Sequence, residues 1–270
     1  MKFSRSAIYL KQMQMMIQDT LVYRANFIFR YVNWIIRFFV LAYLWTSIFA
    51  AKEGDIAGFS LSDTLTYFLI LQVITSLTFS RAGFMISNQI QSGELSSKLI
   101  LPVNYIYLQI ARDFGQNFFF FISHIVIYGG IALIFKDSLT LDFNWLFVLL
   151  SLPVMFFSYL IAFSMIALIG MLAFWLSTAK RLIFVYFAIH TLLSGFLIPI
   201  AFFPQGLQNI LKWTPFPYNY SYIAELIQSK TWTESLSFGL TMTFVYSIGL
   251  MILLHFVFYL GLRKYEAVGQ

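Results

Sequence analysis

His124, His190 and His255, together with Arg37, are the side chains of chemical capacity that fall inside long apolar runs of this 270-residue chain. Imidazoles on separate helices can ligate a metal, pass protons, or bond a neighbouring hydroxyl or carbonyl. A metal site or proton relay calls for carboxylate partners. No Asp or Glu lies in the runs that carry the histidines, so packing is their expected role. Arg37 is expected to snorkel to the inner interface on its long stem rather than to meet a substrate. No Gly-x-x-x-x-Gly-Lys-Ser/Thr phosphate loop, His-Glu-x-x-His pair or Gly-x-Ser-x-Gly elbow occurs, and cysteine is absent. The chain is therefore assigned no catalytic residue, no metal site, no cofactor and no ATP hydrolysis of its own.

What must hold these side chains is a series of stretches without charge. Charged residues are missing between Asp63 and Arg81, Asp113 and Lys136, Asp142 and Lys180, Arg181 and Lys212, and Glu234 and Arg263. Each gap accommodates the roughly 20 apolar residues that cross ~30 Å of hydrocarbon as a helix. Six spans are expected: Val32–Ala51, Leu61–Phe79, Phe114–Phe135, one within Trp145–Leu176, Leu182–Phe203 and Phe238–Leu260. The runs are continuously apolar rather than alternating, which selects helices over a barrel. The composition agrees, with 60% hydrophobic and 10% charged residues and a mean hydropathy of +0.80. The expected fold is thus an all-α integral membrane protein in a single domain, residues 1–270.

Charge distribution gives the orientation. With the N-terminus inside and six spans, 13 of the 17 Lys and Arg residues face the cytoplasm, leaving Lys52, Lys136, Lys212 and Lys230 outside. That bias follows the positive-inside rule and places both termini in the cytoplasm. The net charge of +6 is then a topology signal and implies no nucleic-acid partner. Within residues 1–30, Phe3, Ala7, Leu10, Met13, Ile17 and Leu21 recur at helical spacing, predicting an amphipathic helix in the cytoplasmic interface.

Two connecting segments carry more than a return of the chain. Residues 81–113 lie on the cytoplasmic side, and Ile86, Ile90, Leu95 and Leu99 there alternate with polar residues. Gly93 is expected as a break and Pro102 as a stop. Such a short amphipathic element suits a groove on a soluble partner. On the outer side, Gly195, Pro199, Pro204, Gly206, Pro215 and Pro217 break span five and run into the segment 204–237. Irregular backbone at that depth survives only inside protein or beside a water-filled cavity, so a re-entrant, gate-like element is expected.

These features resemble a known family. The stretch QSGELSSKLILPVN after span two and SGFLIPIAFFPQGLQNILKWTPFPYNY after span five are similar to the permease subunits of ABC-2-type exporters, and the closing YEAVGQ resembles a daunorubicin-resistance-like branch. The resemblance implies a cytoplasmic coupling helix, an extracellular re-entrant hairpin and a bacterial inner-membrane location. It also implies a separate ABC ATPase subunit that holds ATP and Mg, and a second permease chain, the same or homologous. Gly93, Glu94, Leu95, Leu99 and Pro102 would then lie at the ATPase contact, and Gly195, Pro199, Pro204, Pro215 and Pro217 would shape the outer gate. The expected function is export of a hydrophobic or amphipathic substrate. A stand-alone ion-coupled carrier, weakened by the absence of acids within spans, and an integral-membrane enzyme or assembly factor are the alternatives.

Overall fold

The computed structural model describes residues 5–22, 24–52, 54–177 and 179–265, and everything that follows concerns these. The first four residues, Glu53 and the tail from Glu266 onward, which holds most of YEAVGQ, lie outside the described residues. Helices occupy most of the chain: α1 (Arg5–Val22), α2 (Arg24–Lys52), α3 (Leu61–Thr78), α4 (Ala82–Gln91), α5 (Leu95–Leu99), α6 (Tyr105–Ile134), α7 (Trp145–Met171), α8 (Ala179–Leu193), α9 (Gln205–Leu211), α10 (Ser221–Gln228) and α11 (Glu234–Leu262). No strand occurs among the described residues beyond an isolated bridge between Ile56 and Phe59.

Local chemistry sets the helix starts. At α3, Ser60 and Asp63 form a capping box: each side chain accepts from the other's backbone N–H at 3.1 Å. Asn104 starts α6 by accepting from the N–H groups of Ile106 and Tyr107, just after Pro102. Charge spacing predicted a start at Phe114. The cap places it nine residues earlier, so Arg112 and Asp113 are carried into the helix.

The core is organised around α7. It packs against α3, α4, α8, α10 and α11, and Tyr159, Phe163, Ala167 and Met171 on it are fully enclosed. The α4–α7 crossing depends on small residues. A Cβ on Gly83 would lie 2.3 Å from the Ile166 carbonyl oxygen, and one on Gly170 would lie 2.4 Å from that of Gly83. Close backbone approach of this kind is how helices associate where lipid removes the hydrophobic drive.

Five stretches are long and apolar enough to cross a membrane: Ile28–Lys52, Leu61–Gln91, Tyr105–Ile134, Trp145–Phe174 and Glu234–Leu262. The expected fifth span, Leu182–Phe203, is not a continuous helix. α8 has 15 residues, a length of roughly 22 Å. It stops before Gly195, whose φ of +82° leaves the right-handed helical region. Pro199 therefore lies beyond the helix end and breaks nothing. At the N-terminus α2 already begins at Arg24, so residues 24–30 belong to a long apolar helix rather than to the amphipathic one. α1 itself runs along α6, with Met13 against Gly115 and the Tyr9 hydroxyl accepting from the Asn104 N–H at 3.1 Å.

Candidate functional site

Polar residues recur at helical spacing on the inward faces of three apolar helices. α2 contributes Arg30, Asn33 and Arg37; α3 contributes Gln72, Thr75 and Ser76; α6 contributes Asp113, Gln116, Asn117 and His124. They converge on a cavity of about 340 Å³ that Phe196 and Tyr220 also border. A polar stripe on a membrane-capable helix is costly unless it faces protein or water, and here all three face the same space.

The helix break between α3 and α4 borders this cavity. Phe79 is extended and Arg81 non-helical, which frees carbonyls that lipid could not satisfy. The Asn117 amide donates to the Leu77 carbonyl at 3.1 Å and to the Phe79 carbonyl at 2.7 Å. Replacing Asn117 by Leu should therefore cost about 1–3 kcal/mol. A lowered thermal midpoint in detergent checks this; an unchanged midpoint would mean the break needs no partner.

Several residues take different places from those expected. Arg37 turns inward, its guanidinium 4.0 Å from the centre of the Phe196 ring. Asp113, 7% exposed, is a buried carboxylate within a membrane-capable helix, so acids are not absent from such helices. Charge spacing alone makes Asp113 a boundary, whereas the fold encloses it beside Ser80, Arg81 and Tyr159. His124 donates through Nδ1 to the Phe120 carbonyl at 2.8 Å, and His190 Nε2 lies 2.7 Å from the Asn219 amide nitrogen. Both border the cavity. His255 lies apart, bonded to the Met251 carbonyl at 2.8 Å. No group of three metal-ligating side chains occurs among the described residues.

A second cavity, about 560 Å³, lies beyond the first and is bordered by Tyr67, Pro199, Tyr218, Tyr222, Glu225 and Glu234. Desolvation by the surrounding protein pushes the Glu225 carboxyl, which is open to this cavity, above its ordinary value, opposed by a hydrogen bond from Ser235. Between the cavities runs the non-helical stretch 194–199. Tyr67 donates its hydroxyl to the Gly195 carbonyl at 2.7 Å, and the Ser221 N–H donates to the Ser194 carbonyl at 3.1 Å. Gly195, Pro199 and Pro217 are buried along this partition, Pro215 is half-buried, and Pro204 is exposed where it precedes α9.

The remaining sequence-derived residues line neither cavity. Gly93 has a φ of +78° and links α4 to α5. Its carbonyl accepts from the Tyr265 hydroxyl at 3.0 Å. Glu94 pairs with Lys98 at 3.1 Å, both partly exposed. Leu95 is fully buried against Ile86, Ile90 and Tyr105, so it anchors α5 to the molecule itself. The apolar side chains left facing outward are Leu99, Ile100 and Leu101, with Ile100 83% exposed and Pro102 beside them. Leu95 and Leu99 share α5, one turn apart; the packing of α5 on Ile86, Ile90 and Tyr105 buries the first and leaves the second outward.

Residues 35–269 match a family model described as ABC-2 family transporter protein. The chain belongs to the ABC-2 transporter family. A comparison with curated proteins found no match. As a permease of that family it is the membrane part of a transporter, and its five apolar helices make it a multi-pass membrane protein. The permease reading accounts for the placement of its polar groups, which gather around one cavity among apolar helices. The signal that finds them in the sequence is the helical recurrence of Arg30, Asn33 and Arg37, and of Asp113, Asn117 and His124, within otherwise apolar helices.

Proposed function

We propose that this chain is the membrane subunit of an exporter that moves a hydrophobic or amphipathic cargo outward, with ATP and Mg held by a separate ABC ATPase subunit and a second permease chain completing the pathway. The observation that carries this reading is a pair of cavities that share the non-helical stretch 194–199, Phe196 lining one and Pro199 the other. A pathway that must be open to one side at a time needs such a partition, and this one is held by few hydrogen bonds. Phe196 and Tyr220 close it from one side, Pro199 and Tyr218 from the other. The α5 region, with Leu99 and Ile100 outward, is the docking element for the ATPase, and Gly195 to Pro217 form the outer gate. In this reading α8 and the stretch after it act as the sixth, partly re-entrant span, and α1 rests at the inner interface of a bacterial inner membrane. A daunorubicin-resistance-like branch fits the same plan.

Co-expression with a soluble ABC ATPase tests the assignment: the two should purify together, and the permease alone should show no ATP hydrolysis. ATPase-free permease that concentrates cargo on a proton gradient would overturn it. The buried Asp113 makes that carrier reading the specific competitor, because a carboxylate at membrane depth is where ion coupling is placed. Loss of transport in Asp113→Asn without any ATPase dependence would select it.

The absence of cysteine makes topology direct to measure. Ser97→Cys and Thr231→Cys both fall on exposed residues. An impermeant thiol reagent applied to intact cells should label Thr231→Cys and spare Ser97→Cys. The reverse pattern would invert the orientation.

A further inference from the structure

We propose that the inner cavity receives an anionic head of the cargo, a phosphate or carboxylate group, which competes with Phe196 for the Arg37 guanidinium. This rests on the export reading above and names the chemistry of its cargo. Three guanidiniums, Arg30, Arg37 and Arg81, border the cavity against a single carboxylate, Asp113. The two ion pairs among the described residues, Glu94–Lys98 and Asp142–Lys230, involve none of them. Arg81 is offset by the neighbouring Asp113, which leaves Arg30 and Arg37 in excess, and a planar guanidinium is matched to oxyanions in two-point contact. The excess of guanidinium over carboxylate suits an oxyanion.

Two further observations agree. The volume of about 340 Å³ lies at the low end of small-molecule pockets. It holds a head group, while an apolar tail would lie along the exposed face of α2 at Ile36 and Val40. Beyond the partition the sign reverses, with Glu225 and Glu234 against Lys212 in the outer cavity. An anion is thus held on one side and repelled on the other. The partition is tied to the site through Phe196, whose ring sits over Arg37 and whose neighbour Gly195 forms the turn. An anion that engages Arg37 releases that ring, so occupancy loosens the partition.

The test uses the full-length permease without nucleotide or ATPase, following intrinsic fluorescence because Trp34 borders the cavity. The ligands are dihexanoyl phosphatidylglycerol, dihexanoyl phosphatidylcholine and sodium phosphate. The anionic lipid should bind at least roughly tenfold more tightly than the choline lipid, and Arg37→Gln should erase that preference. Phe196→Ala should tighten anionic binding by about threefold, because the competing ring is gone. Truncating a side chain of purely structural role would not raise affinity. Displacement of bound lipid by sodium phosphate would assign the site to the bare anion, and persistence would assign it to a lipid-borne head; both support the proposal. Equal affinity for the two lipids, or an unchanged or weakened affinity in Phe196→Ala, overturns it. Because binding here needs no ATPase, a failure of ATP-driven export with the anion preference intact would remove the export reading alone.

Discussion

Gly195→Ala is expected to abolish net export while the chain still inserts and the partner ATPase still turns over. The glycine sits at φ +82°, a region that costs an L-residue roughly 1–2 kcal/mol. Its new Cβ would also lie 2.6 Å from the Ser221 Cβ and 2.7 Å from the Tyr67 hydroxyl. Overpacking of that kind adds about 1–3 kcal/mol. Both penalties fall on the closed partition, because the Tyr67 and Ser221 contacts are what hold it. The closed state is disfavoured, the two cavities communicate, and hydrolysis is uncoupled from transport. The measurement is cargo accumulation alongside ATPase rate in proteoliposomes. Adding Ser221→Gly removes one clash but not the backbone strain, so the double variant should recover part of the activity. Wild-type accumulation in Gly195→Ala would show that the stretch 194–199 is not the gate.

A charge at Ile100 should be nearly as damaging, for a different reason. The residue is 83% exposed and touches no core, so Ile100→Glu should leave stability within about 0.5 kcal/mol. It places a carboxylate in the centre of the apolar patch formed by Leu99, Ile100 and Leu101. If that patch docks in a groove of the ATPase, stimulation of ATP hydrolysis by the permease should fall by roughly tenfold or more, as for a hot-spot residue. Gly93→Pro should give a similar loss through geometry, since proline fixes φ near −65° where the chain needs +78°. Glu94→Lys is expected to do much less. Its pair with Lys98 is partly exposed, and such pairs contribute about 0–1 kcal/mol. Pull-down with the ATPase and its stimulated rate separate docking from coupling. Normal stimulation by Ile100→Glu would move the contact elsewhere on the molecule.

The sequence by itself determined what depends on local composition. Charge-free runs of about 20 residues can only be helices in lipid, because each backbone group must be satisfied within its own segment. The runs therefore revealed the membrane class and the all-α fold, and glycine and proline marked the breaks at Gly93 and Gly195. The family was legible for the same reason, since the SGELSSKL and Pro-rich stretches are continuous in the chain. Tertiary structure alone decided which charges are boundaries and which are buried. Asp113 and Arg37 look like interfacial residues when read along the chain, yet Asn104 starts α6 early enough to enclose Asp113. The α2 register then turns Arg37 toward Phe196, 159 positions away. Leu95 and Leu99 are equivalent in an amphipathic pattern, and only the packing of α5 on α4 and α6 hides one and exposes the other. The cavity is built from α2, α3, α6 and the end of α8, four segments with no local signal in common. Polar groups on apolar helices are costly when scattered, and it is their convergence on one cavity that makes it a site.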